Sequence, residues 1–488
     1  MNLDPTASDA VVRAVTVTVT TEAPEGAVVG IGVTSDGDVP AGIGLSRDEL
    51  ARWGFAGKPG QTLPLPASGA VAVGLGAAAD VTVATVRDLA AGHARAVAKD
   101  ATVVVRVPGS VDPVAAAGAA VEGVVLGRYR FDESRSESST VAVREIVLVL
   151  PEAGPDAEAA AREALVLARA TCLARDLANT PPSQLDAPTF ADVATRIAEA
   201  TGLEIVVHDK AALVEMGCGG LLGVNRGSDV EPRMVRLTYR PDGESRGHLG
   251  LVGKGITYDS GGISLKPSDP MHASMKMDMA GAGAVLAAMS VLRELAVPVT
   301  VSAYLALTDN MPDARAVKLG DVLTTRAGRT IEVVNTDAEG RLVMVDAIAL
   351  AKEDGVDAIV DIATLTGAVL AALGTRTAGL VSNDDRLAEL VAAAGDATDE
   401  GLWRLPLDRR MRPEFDSEVA DLKNLAGKWA GTVTAAVFLA EWVGDTPWVH
   451  VDMAGTMRSE ADEAWRVKGA TGYGARLLAQ VARVWTPA

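Results

Sequence analysis

From about residue 180 onward, short β-branched runs alternate with Ala- and Leu-rich stretches of helical length, and this alternation limits the fold more than any other feature of the chain. Strand candidates are Glu204 to His208, His248 to Gly253, Val299 to Leu307, Ile331 to Asn335, Ala358 to Ala363 and Trp448 to Asp452. Helix candidates between them include Gly281 to Leu295, Leu342 to Lys352 and Thr432 to Val443. Such an order predicts an α/β domain with a mostly parallel or mixed central sheet flanked by helices. Ligands of such sheets bind in the loops at the carboxyl ends of strands.

The first 150 or so residues are also α/β material. Val15 to Thr21, Val71 to Leu75, Ala101 to Val107 and Glu145 to Leu150 predict strands, and Thr82 to Ala98 a helix. No acids, His or Cys cluster there at useful spacing, and no Lys/Arg patch forms. Pro151-Glu152-Ala153-Gly154-Pro155 is a breaker cluster, and the helix predicted over Ala157 to Ala178 stops at Asn179-Thr180-Pro181-Pro182. The expected plan is therefore a smaller N-terminal domain over 1–155, a connecting helix over 156–180 and a larger C-terminal domain over 181–488, the part that would carry the chemistry.

The whole-chain properties exclude several classes. With 48% hydrophobic residues in 488, a large core needs no staples. Two cysteines, Cys172 and Cys218, make no disulfide framework and fit a reducing interior. Met1-Asn2-Leu3-Asp4-Pro5 does not read as a leader, and the most apolar stretch, Ala280 to Leu292, ends at Arg293 and Glu294, short of the ~18–20 residues a membrane helix needs. The expectation is a cytoplasmic protein with no membrane partner. A net charge of −19 argues against nucleic-acid binding, which needs clustered cations.

Three strand-to-loop transitions hold the informative acids. Leu251 to Lys266 runs from an apolar strand into a Gly-rich loop with Lys254, Asp259 and Lys266. It lacks the phosphate-loop order, since Gly255 follows Lys254 and His248 stands where the earlier Gly belongs. Asp278 precedes an apolar helix and, taken alone, reads as an N-cap. Asp337 and Glu339 sit one residue apart before another helix, with Arg341 just inside it. Together Asp259, Asp278, Asp337 and Glu339 bring four negative charges, which two divalent cations would balance. Hard oxygen donors without His suit Zn, Mn, Co or Mg and do not choose among them. Lys254 joins such a set only as a neutral amine. His272 is nearby but has no second His beside it.

Asn335-Thr336-Asp337-Ala338-Glu339-Gly340-Arg341-Leu342 resembles the signature of the leucyl (cytosol) aminopeptidase family. Gly253 to Ser268, Met275 to Asp278, Asp361 to Ala368, Trp448 to Gly455 and Lys468 to Gly472 resemble its other site segments, and Asp176 to Pro182 the entry to its catalytic domain, over about residues 170–488. The resemblance implies a metallo-aminopeptidase with two divalent ions, in which Asp259 and Glu339 bridge, Asp337 completes the more exchangeable site, and Lys254 and Asp278 complete the tighter one. It makes Lys266 and Arg341 the catalytic side chains. Lys266 would stabilise the oxyanion, and Arg341 would hold a bicarbonate acting as general base. Met275, Thr364, Gly367, Ala454 and Met457 would line the pocket for the first side chain, Leu365 would offer its carbonyl to the substrate, and Leu or Met N-termini would be preferred. Some family members also bind DNA, which the acidic charge here disfavours. A homohexamer is carried over as an expectation. Two departures stand out: Ala280-Gly281-Ala282-Gly283 after the second acid, and Lys428-Trp429 in a segment, Asp421 to Thr432, that the family usually fills with glycine.

Overall fold

The computed structural model describes residues 4–487, so the leader reading at Met1 to Leu3 lies outside them. The chain divides into two compact units, each with its own core. Thr6–Cys172 and Ser459–Thr471 form one, and Leu173–Arg458 with the chain from Gly472 forms the other. The helix Pro155–Asn179 passes through the division. The stretch 459–471, expected within the C-terminal domain, instead packs with the N-terminal unit. Trp465 and Val467 are buried in that unit's core, and Arg130 pairs with Asp462 at 2.6 Å.

The main sheet of the N-terminal unit has six strands, β1 (Thr16–Thr20), β2 (Val29–Thr34), β3 (Thr62–Leu65), β4 (Ala70–Gly76), β5 (Thr102–Arg106) and β6 (Glu145–Val149), in the order β1-β6-β5-β2-β4-β3. All neighbours are parallel except β3 against β4. The helix Val83–Ala96 starts on a Thr82/Thr85 capping box, and the helix Pro113–Arg128 on an Asp112 cap with Pro in its first turn. β2 was not legible because glycines interrupt its apolar run. A Cβ on Gly30 would lie 2.4 Å from the buried ring of His93, so packing forbids a side chain there.

The larger, C-terminal unit is built on a mixed sheet. Its strands β7 (Glu204–His208), β8 (Arg233–Tyr239), β9 (His248–Asp259), β10 (Thr300–Asn310), β13 (Ala358–Ala363), β14 (Ala378–Ser382), β15 (Leu402–Arg404) and β17 (Trp448–Asp452) run in the order β15-β14-β17-β13-β9-β10-β8-β7. The four central strands, β17, β13, β9 and β10, are parallel, while β8 and β14 enter antiparallel. β9 and β10 are buried almost throughout, as expected for strands covered on both faces. The helix Ala280–Met289 comes close enough to β9 that a Cβ on Gly253 would lie 2.6 Å from Ala282 Cα. This helix is shorter than the expected Gly281 to Leu295.

A further expectation is corrected. Ile331 to Asn335 is not a strand of the main sheet. β11 (Val322–Thr324), β12 (Thr330–Glu332) and β16 (Leu422–Lys423) make a separate three-stranded sheet, and the chain leaves β12 after Glu332. Beyond it the Asn424 side chain, not a strand, takes the backbone: its Oδ1 accepts the Val334 N–H at 2.9 Å and its Nδ2 donates to Asn335 O at 2.7 Å.

Candidate active site

Lys254 and Asp259 both lie on β9, five positions apart, and an odd offset in a regular strand sends side chains to opposite faces. Between Ile256 and Asp259, β9 carries one residue more than β10, where Thr308 and Asn310 are their partners. This bulge inverts the alternation and lets both side chains enter one cluster. Asn310 fixes the second of them by donating to Asp259 Oδ1 at 2.9 Å and to Thr336 O at 3.0 Å. The loop after β9 turns back through Gly261 and Gly262, both at positive φ, and closes with Lys266 N–H donating to Ser260 O at 2.9 Å. A Cβ on Gly261 would come 2.9 Å from Asp337 Oδ1. The turn brings Lys266 Nζ to 2.7 Å from Asp259 Oδ2 and 2.5 Å from Asp337 Oδ1.

Asp278 is not an N-cap. The cap of the helix Ala280–Met289 is Met279, without a side-chain bond. The Asp278 carboxylate is buried against Lys254 Nζ, with Oδ1 at 3.0 Å and Oδ2 at 2.8 Å, and accepts the Thr364 hydroxyl at 2.7 Å. Lys254 Nζ also meets Glu339 Oε1 at 2.9 Å and donates to Thr364 O at 3.0 Å. Gly340 makes room for it, since a Cβ there would lie 2.6 Å from Lys254 Cε. Arg341 is buried over the Phe438 ring and donates from Nη1 to Asn424 O at 2.9 Å, while its Nε has no partner.

The electrostatics are unbalanced. Four carboxylates face two ammonium groups. Burial, reinforced by Glu339, pushes Asp259 up to about 6. Burial also raises Asp278 well above the usual carboxylate range and raises Asp337. For Glu339 burial acts the same way, but Lys254 outweighs it and holds the group below its ordinary value. Burial would lower Lys254, yet Asp278, Glu339 and Asp259 together raise it. Burial brings Arg341 down to about 10. One oxygen each of Asp259, Asp337 and Glu339 lie within 4.8 Å of one another, and Glu339 Oε2 is buried without a hydrogen bond. Hard donors in excess of positive charge, one of them orphaned, fit a divalent cation. His272 stands outside this group; its ring stacks on Tyr258.

These positions coincide with a wider likeness. A model of the cytosol aminopeptidase family's catalytic domain matches residues 172–479, and one of its N-terminal domain matches residues 44–138. The chain belongs to the cytosol aminopeptidase family. A probable cytosol aminopeptidase of Roseiflexus castenholzii is 42% identical over 457 residues, covering 90% of this chain and 93% of that one. One from Rhodococcus jostii is 39% identical and covers 93% of each. Among solved structures, the bottromycin maturation enzyme BotP in complex with Mn is 40% identical with a TM-score of 0.85, covering 93% of this chain and 98% of its own. Family membership makes the chain a metallo-aminopeptidase acting on peptides. Among the described residues no helix is long and apolar enough to cross a membrane.

The expected pocket residues come from three segments. Thr364, Leu365 and Gly367 follow the carboxyl end of β13; Ala454 and Met457 follow that of β17; Met275 lies in the short helix Ser274–Met277 that leads to Asp278. Asp278 joins the first and third through Thr364. Asp452 joins the first and second, accepting N–H groups from Leu365 and Ala454. Sequence reasoning missed Asn310, Asn424 and Asp452, which bond the site's loops. Their partners lie at least 26 residues away along the chain in each case but one, the Ala454 N–H, so no local signal marks them.

Proposed function

We propose that the chain removes single residues from the free N-terminus of peptides, preferring Leu- or Met-like residues, with two divalent cations held by Lys254, Asp259, Asp278, Asp337 and Glu339. The observation that carries this reading is the convergence of Asp259, Asp337 and Glu339 beside two lysines in a site whose carboxylates outnumber its cations. Asp259, beside Lys266, and Glu339, beside Lys254, would share in holding the cations.

When bound, such a pair of ions supplies Lewis-acid activation of water and of the scissile carbonyl. Lys266 is bound to Asp259 and Asp337 while their charge is unshared, and is free to donate to the developing oxyanion once that charge is neutralised. Arg341 is held through Nη1 by Asn424 O, leaving Nε to bind a bicarbonate that serves as general base in this reading. Leu365 would accept the N–H of the scissile amide, and Met275, Thr364, Gly367, Ala454 and Met457 would form a pocket whose two Met adapt to apolar side chains.

The metals are Zn or Mn, with Mg or Co as substitutes; Mn is the ion bound by the similar maturation enzyme. The reading extends to a cytoplasmic homohexamer. The test is hydrolysis of Leu-p-nitroanilide before and after chelation, with Zn or Mn added back. Activity that survives complete metal removal would sink it. The likeness to a maturation enzyme brings a second reading, a narrow peptide substrate. The departure at Lys428-Trp429 bears on it, because Trp429 is 76% exposed and the segment runs on to Gly431, where a Cβ would lie 2.9 Å from Ala368, next to Gly367. A substrate panel showing one strongly favoured peptide would select that reading.

A further inference from the structure

β13 and β17 are parallel neighbours that end together, with Ala363 opposite Asp452. Asp452 is fully buried at that edge, and its carboxylate belongs to neither the acid cluster nor an ion pair with Lys or Arg. Its Oδ1 accepts the backbone N–H groups of Leu365 at 3.2 Å, Thr366 at 3.3 Å and Ala454 at 3.4 Å, and its Oδ2 accepts the Thr366 hydroxyl at 2.6 Å. Thr366 in turn meets the Thr432 hydroxyl at 2.9 Å and caps the helix Gly367–Leu373.

The consequence follows from the planar trans peptide, in which C=O and N–H point in opposite directions. Among the described residues every peptide is trans. The Leu365 N–H points to Asp452, so the carbonyl of the same peptide, Thr364 O, points away from it and meets Lys254 Nζ at 3.0 Å. The Thr366 N–H also points to Asp452, so Leu365 O must point away on the same side as Thr364 O. In an extended strand consecutive carbonyls alternate in direction. One carboxylate oxygen taking two consecutive N–H groups cancels that alternation and presents two consecutive carbonyls to the lysine and carboxylate cluster.

We propose that Asp452 is a positioning residue that aims the Leu365 carbonyl at the substrate's scissile N–H. This rests on the aminopeptidase reading. The role is geometric: it needs an acceptor oxygen at that place and does not need a charge.

Two variants separate geometry from charge. Asp452→Asn keeps an acceptor in place and removes the charge, with its amide N–H₂ donating to the Thr366 hydroxyl. Asp452→Glu keeps the charge and displaces the acceptor by roughly one bond length. Each is assayed as kcat and KM on Leu-p-nitroanilide, whose scissile nitrogen carries the N–H, and on leucine methyl ester, which has none. The expected result is an amide-to-ester ratio of kcat/KM unchanged in Asp452→Asn and lowered about tenfold in Asp452→Glu, the worth of one hydrogen bond. If the glutamate variant does not fold cooperatively, Asp452→Ala replaces it, with the same fall expected. Equal losses on amide and ester, or a ratio that falls in Asp452→Asn and holds in Asp452→Glu, would overturn the assignment. Failure of the aminopeptidase reading is separate: the unmodified protein would then hydrolyse neither substrate.

Discussion

At the residue scale, the site turns on which groups touch and which must be absent. Lys266 reaches two carboxylates but is not enclosed by them, whereas Lys254 is buried among Asp278, Glu339 and Thr364 O. Lys266→Ala should therefore lower kcat by about 10²–10³, the usual cost of an oxyanion donor, and leave the metal content intact. Asp278→Ala should lose the ion nearest Lys254. Mass-spectrometric metal counts on dialysed protein separate the two, and equal losses would contradict the division of roles. Gly340 carries a different prediction. Its missing Cβ is the space occupied by Lys254 Cε and Nζ, at 2.6 and 2.7 Å, and neighbouring backbone and carboxylates leave the lysine little room to retreat. Gly340→Ala should cost about 1–3 kcal/mol by overpacking and displace Lys254, lowering activity out of proportion to the fall in Tm.

At the scale of elements, the loop that presents Asp337 and Glu339 is shaped by a distant side chain. Asn424, just past β16, satisfies Val334 N–H and Asn335 O and supplies the carbonyl that holds Arg341. Asn424→Ala should orphan partly buried backbone groups at about 1 kcal/mol and weaken metal retention without touching a proposed ligand; thermal unfolding and metal titration read both effects. The helix Gly340–Glu353 is anchored further along by Asp346, which accepts N–H groups from Leu221 and Arg326 at 2.9 Å each. Burial nonetheless pushes Asp346 up to about 7. A carboxyl whose folded value is raised binds its proton more tightly when folded, so its contribution is fully present below the unfolded value of ~4 and lost as pH rises through 7. The Tm of the native protein should fall from pH 5 to 8 more steeply than that of Asp346→Asn, and parallel curves would show that Asp346 does not titrate there. The sequence already exposes the helices Val83–Ala96, Pro155–Asn179, Gly340–Glu353 and Gly431–Val443, the buried central strands and the acids that end them, but not the helices Pro113–Arg128, Ala187–Thr201, Asp385–Thr398 and Ala475–Val484. It does not expose β2 with its packing glycines, nor the end of β12, because both depend on what approaches from elsewhere in the chain.

At the scale of the molecule, a site with four carboxylates against two lysines should tie stability to metal. Saturation with Mn or Zn at ~100 times Kd should stabilise the chelated protein by about 2.7 kcal/mol, and Asp259→Asn should remove most of that gain in a thermal-shift titration. The family was readable in the sequence because Asn335 to Leu342, the Gly-rich loop and Asp278 keep its motif residues in local order, and a motif is a matter of residue type. The alternation of strands and helices likewise set an α/β sheet with its site at the carboxyl edge, because periodicity is local. Only the tertiary structure decided that the sheet is mixed and that residues 459–471 join the N-terminal unit. It also decided that a bulge in β9 puts Lys254 and Asp259 on one side, and that Asn310, Asn424 and Asp452 hold the loops in place. Those features are contacts between residues mostly far apart along the chain, selected by packing and hydrogen-bond satisfaction once the whole chain has closed.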